Sequence, residues 1–257
     1  MRGVHGLVVL GLLFGLACHR KSRQAPAPAA SRPTVVLLPS AGEPADGLWA
    51  RGCARLMARQ IDRATGRDSA LVALVLGAAS RRVGYALPSA PVALDQGVAA
   101  AKRYGATLFA RVHIHSPSED IKNILMDVFD VAKLDTQFSR VYPWNPHTDM
   151  PPLRVATIDL AGASGLGVRA EALLEGAPFV ETHNAAALEA FLRYLDNLTL
   201  AAAARGRPVG ASFRDPSELL DAALAADPGL STARMIKAQG VGAHFDRVLV
   251  SEVPLKD

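Results

Sequence analysis

The sequence predicts an α/β fold: a single two-layer or three-layer domain with a mixed sheet, extended by a C-terminal helical hairpin. Three observations predict it. Apolar runs suited to strands alternate with amphipathic stretches in the order β-α-β-α-β between residues 34 and 115. Half of the 257 residues are hydrophobic, enough to build a sizeable core in one domain. With only two cysteines, Cys18 and Cys53, packing rather than a disulfide framework must hold the fold.

Each element has a local reason. Thr34 to Leu38 is a continuous, partly β-branched apolar run, as in a strand buried on both faces, and Pro39 is expected to stop it. From Leu48 to Ile61, the residues Leu48, Trp49, Leu56, Met57 and Ile61 share one helical face while Arg51, Arg55 and Arg59 line another. Cys53 lies in this helix, where a small buried thiol is the expectation. Ala70 to Leu76 reads as a second buried strand, with a helix as the alternative. Pro91 to Tyr104 reads as a helix stopped by Gly105, and Thr107 to His115 as a strand ended by Ser116-Pro117.

Residues 116–152 read as an insertion. Glu119 to Val131 carries the spacing of a short helix, and the prolines around Tyr142, Trp144 and residues 151–152 predict irregular chain. Beyond it, Leu153 to Leu160 and Leu166 to Leu174 are expected as two strands around the small-residue turn 161–165. Asn184 to Ala204 is expected as a long helix with Asn184 as N-cap, closing a domain that spans residues 34–205. Residues 206–257 form the helical extension; Val241 to Val253 fits a last helix or a strand.

The N-terminal residues concern location. Arg2 supplies a positive start, Leu7 to Leu16 form an apolar run too short for a stable membrane span, and Ala17 precedes Cys18. The stretch resembles the lipobox of bacterial lipoproteins, although Gly15 stands where leucine is usual. The resemblance implies removal of residues 1–17, acylation of Cys18, and a lipid anchor in the cell envelope, on the periplasmic side of the outer membrane. Cys53 would then be the lone thiol. Residues 18–33, rich in Pro and Ala, cannot pack and read as a tether.

The order strand, amphipathic helix, strand, then Ala99-Ala100-Ala101-Lys102-Arg103-Tyr104-Gly105-Ala106 running into Thr107 to Val112, resembles the TolB amino-terminal-domain and CsgG-like group of envelope proteins. The similarity covers about residues 34–204. It implies a non-enzymatic α/β domain used in envelope assembly, secretion or activation of a cell-wall synthase, with a protein partner in the envelope. Ser217 to Ala233, with Asp227-Pro228 between two helical stretches, resembles a single tetratricopeptide junction. One junction cannot build a solenoid, so a hairpin packed on the main domain is the expectation.

Candidate chemistry is sparse. His113 and His115, one residue apart on a strand, point to the same side and form a pair that can share a metal, with His147 or a nearby aspartate completing it. That pair carries the alternative reading, an exported metal-dependent hydrolase. The bland reading is a polar, solvated strand face. Gly162 to Gly167 lacks the order of a phosphate-binding loop, and no nucleophile-elbow motif occurs, so the sequence calls for no cofactor. Phe138, Tyr142 and Trp144 stand in the predicted irregular stretch as either partner anchors or a hydrophobic lid, decided by their exposure. The excess of four basic residues is small and scattered, which argues for no nucleic-acid partner.

Overall fold

The computed structural model describes residues 35–65, 70–71, 87–118, 120–147, 151–165, 182–204 and 214–239. They fall within one compact unit, Ser31–Asp257. Its centre is a mixed sheet in which β1 (Val35–Ala41), β2 (Ala70–Leu71), β3 (Leu108–His115), β4 (Lys122–Asp130) and β5 (Thr136–Trp144) lie in the order β2-β1-β3-β4-β5. β2, β1 and β3 are parallel; β4 and β5 add an antiparallel meander.

Every residue of β1 is buried, as a strand covered on both faces requires. The strand does not stop at Pro39; it runs on to Ala41, with Pro39 opposite Val112. Ala41 donates its N–H to the Pro88 carbonyl, away from β3. Backbone groups two residues apart point the same way, so the donor that Pro39 lacks falls on that side too. There the pairing with β2 covers only Val36 and Leu37, and no ladder bond is lost.

Helices cover the sheet unequally. On one face lie α1 (Gly47–Thr65) and α3 (Pro151–Ala163); α4 (Ala185–Ala204) packs on α1, and the pair α5 (Pro216–Ala226) and α6 (Ser231–Gln239) follows through α5 on α4. Their apolar sides join Val35, Leu37, Ala110, Val112, Ile114, Ile124, Met126 and Val128 in one large cluster. On the other face α2 (Leu94–Tyr104) covers a smaller cluster of Val36, Leu38, Phe109 and Phe129. The architecture is therefore α/β, a mixed sheet with helices on both faces and a C-terminal helical segment.

Helix ends follow local rules. Gly105 ends α2 in the left-handed conformation (φ 69°), donating its N–H to Ala101 and Lys102 carbonyls. Asn184 caps α4, its Oδ1 accepting from the N–H groups of Ala186 and Ala187. Asp215 caps α5 through the Ser217 N–H. Asp227 ends α5 and turns the chain by accepting from the Gly229 N–H. The two last helices place Leu219, Leu220, Ala223, Leu230, Ala233 and Ile236 in the main core, so the hairpin packs on the domain.

Three expectations are corrected. Residues 116–152 are not an irregular insertion: β4 and β5 extend the sheet. Ile121, Ile124, Leu125, Val128 and Phe129 suit a helix by spacing, but Lys122, Ile124, Met126 and Val128 alternate inward as strand residues because the edge of β3 needs a partner. Leu153 to Leu160 is helix rather than strand, since Leu153, Ala156, Thr157, Leu160 and Ala161 bury one helical face. The hairpin expected around residues 161–165 is accordingly absent, for Gly162 and Ala163 are still in α3 and Gly165 turns out of it at φ 60°. Cys18, the tether, Val72 to Leu76, Leu166 to Leu174 and Val241 to Val253 lie outside the described residues.

Candidate functional site

The crossovers locate the site. The chain leaves β1 through α1 on one face and enters β3 from α2 on the other, so β1 and β3 part the two connections. In open α/β sheets the crevice at the carboxyl ends of two such strands is where ligands commonly bind. Here those ends are Ser40, Ala41 and Gly42 beside His113, Ile114 and His115.

The two histidines do share a sheet face, as their spacing predicts, but their surroundings differ. His113 is buried opposite Ser40, with Ser40 Oγ and His113 Nδ1 2.9 Å apart. Burial, reinforced by His115, holds the His113 pKa below 6.5 against the opposing pull of Asp46 and Asp127, so the ring is neutral near pH 7. Ser40 is fully buried, which makes it a partner for the ring rather than an accessible nucleophile. His115 is exposed beside Gly42, where a Cβ would stand 3.1 Å from His115 Nδ1. Gly42 thus lets the chain turn close over the histidine.

A second polar group closes the crevice. Asp46, at the entrance to α1, accepts from Ser116 Oγ at 2.5 Å, the Ser116 N–H at 3.2 Å and Lys122 Nζ at 3.2 Å. Lys122 also donates to Ser116 Oγ at 3.1 Å and lies 4.9 Å from the centre of the Trp49 ring. Trp49 meets Trp144 edge-on at 5.5 Å. This network ties the loops after β1 and β3 to α1 and the start of β4.

His147 is elsewhere. It faces Asp120 at 3.9 Å, with both side chains mostly exposed. Among the described residues, no three His, Cys, Asp or Glu side chains gather as a metal site requires. Of the predicted partner anchors, Tyr142 and Trp144 are buried at 5 % and 1 % exposure and Phe138 is partly buried against the same core. They are core residues because β5 turns them toward α1 and α3, and Tyr142 donates its hydroxyl proton to Asp159 at 2.7 Å. Burial, and then the bond to Asp159, pushes that phenol above its usual range. Cys53 is buried and its thiol pushed up to about 12, the inert thiol expected of it.

One constellation has no counterpart in the sequence reading. Arg51 and Arg55, on the arginine-bearing face of α1, both turn toward Asp196 of α4. Arg51 grips that carboxylate with Nε at 3.1 and 3.0 Å and Nη2 at 2.6 Å, while Arg55 Nη1 donates to Oδ1. Asp196 is held below its usual range although burial opposes this, because both guanidiniums outweigh the desolvation. The legible signal was Asp196 itself, the sole acid of α4 after Glu189, set between Leu195 and Leu198 in an apolar run where a buried carboxylate demands a partner.

No protein-family model matches the chain, and no curated protein matches it. Solved structures similar to it include two of PelC from Paraburkholderia phytofirmans. A dodecamer carrying one leucine-to-methionine substitution is 14 % identical with a TM-score of 0.30, covering 58 % of this chain and 89 % of that one. The dodecamer in another crystal form is 14 % identical with a TM-score of 0.32, covering 56 % and 93 %. TolB from Acinetobacter baumannii is 16 % identical with a TM-score of 0.29, covering 59 % of this chain and 31 % of TolB. The resemblance drawn from the sequence thus has a weak structural neighbour in TolB, at a level of similarity that transfers no function.

Proposed function

We propose that the chain is a membrane-tethered lipoprotein of the bacterial cell envelope whose α/β domain binds an envelope protein without catalysing a reaction. The observation that carries this reading is the stretch from Arg2 to Cys18, a basic start, a short apolar run and a small residue before cysteine, followed by a Pro- and Ala-rich tether. The sheet begins at Val35, immediately after that tether. The polar groups of the crevice are engaged within the domain, His113 with Ser40 and Lys122 with Asp46, which agrees with a binding role. A single acyl chain gives only reversible membrane attachment, so stable anchoring requires the multiple chains that a lipidated N-terminal cysteine carries.

Radiolabelled palmitate fed to cells expressing the full chain tests the address. The expected outcome is label on the wild-type protein, its recovery with membranes, and loss of both in Cys18→Ser. An unlabelled chain, with residues 1–17 still attached, overturns the anchor. In-cell crosslinking of the labelled protein is expected to recover one envelope protein reproducibly.

A further inference from the structure

The Arg51–Asp196–Arg55 group is asymmetric. Arg51 presents the side of its guanidinium, Nε with Nη2, to both oxygens of Asp196. Arg55 reaches the same carboxylate only through Nη1. Its own Nε and Nη2, the equivalent fork, are buried and without a hydrogen-bond partner among the described residues. The Arg55 side chain is only 6 % exposed, so the unfilled fork is a buried one. An arginine side fork carries two parallel N–H donors at the spacing of two oxygens of one carboxylate or phosphate group.

From this geometry we propose that Arg55 is an oxyanion-binding residue: its Nε/Nη2 fork takes the carboxylate or phosphate group of a ligand at the junction of α1 and α4. Several features make this a built site. Asp196 anchors Nη1 and fixes the plane of the guanidinium, so the fork is held in one direction. One carboxylate faces two guanidiniums, so the group keeps a net positive charge toward an incoming anion. α1 and α4 approach closely one turn before Arg55 and Asp196, where a Cβ on Gly52 would lie 2.5 Å from Leu192 Cδ2. Arg51 and Asp196, at 14 % and 11 % exposure, are the less buried members of the group.

Equilibrium dialysis of the full-length chain in detergent tests this with labelled inorganic phosphate and labelled acetate, each against chloride at matched ionic strength. Saturable binding of a single oxyanion per chain is expected, weakened roughly tenfold or more in Arg55→Gln, the scale of one charge-assisted hydrogen bond. Binding of acetate alone identifies a carboxylate ligand, binding of phosphate alone a phosphoryl ligand, and either supports the site. No saturable binding by the folded wild type, or equal affinity in a folded Arg55→Gln, overturns it. Should that variant not fold, titration of the 15N-arginine wild type decides: one Nε–H resonance is expected to move with the dialysis affinity, and no movement overturns the proposal.

Discussion

Two buried polar groups flank α1, and they are finished to different degrees. At its N-terminal end, Asp46, Ser116 and Lys122 satisfy one another, with three donors on a single carboxylate and the ammonium resting over Trp49. Further along the helix, Arg51 and Arg55 share Asp196, yet the second guanidinium keeps an unfilled fork. A closed network of this kind fixes loops and specifies one arrangement of the crevice. An open one leaves a buried donor pair whose desolvation has no return within the described residues, and such incompleteness points to a ligand. The difference separates a group that builds the fold from a group available to do something with it.

The largest effect is expected from Asp196→Asn. Removing the shared charge leaves two buried guanidiniums side by side, and breaking a buried ion pair in this way costs about 3–5 kcal/mol. Urea unfolding is expected to show that loss, and a loss below about 1 kcal/mol would make the cluster solvent-screened and remove the contrast. Lys122→Met is expected to cost less, about 2 kcal/mol, because Asp46 keeps the Ser116 N–H and hydroxyl when the ammonium goes. Equal losses in the two variants would mean the two groups are equally closed.

The smallest expected effect is the pH response of His113. Its folded pKa lies below 6.5, so in the interval beneath 6.5 the unfolded chain takes a proton that the folded chain refuses. The stabilisation is complete above about pH 6.5, is lost as pH falls toward the folded value, and levels off below it. Thermal unfolding between about pH 7 and pH 5 is expected to show this decline in the wild type and a shallower one in His113→Asn. A decline of identical slope in the variant would assign it to groups other than His113.

Legibility in the sequence followed how local each cause was. β1, α1, α2, β3 and α4 were readable because apolar spacing and caps such as Asn184 and Gly105 act within a few residues. β4 and α3 were exchanged in type because their apolar spacings fit both periods over so short a window. Ile124 with Val128 suits a helix as well as it suits alternate positions of a strand. The edge of β3 decided the first, and burial of Leu153, Ala156 and Leu160 beneath β5 decided the second. The aromatics of β5 were misplaced for the same reason, since a residue in an unpaired loop and the same residue on a paired strand face opposite solvents. At the candidate site, the common side of His113 and His115 was legible from strand geometry, whereas Ser40, 73 residues away in sequence, was not.

The sequence by itself determined the α/β class, the packing-held core, the buried Cys53 and the strands β1 and β3, because each follows from composition or from neighbours along the chain. Tertiary structure alone decided that β4 and β5 complete the sheet, that Tyr142 and Trp144 face inward, and that Arg51, Arg55 and Asp196 meet across about 140 residues. Pairing partners and buried charges are chosen by what a folded surface presents, and hydrophobic periodicity carries no information about which distant residue that will be.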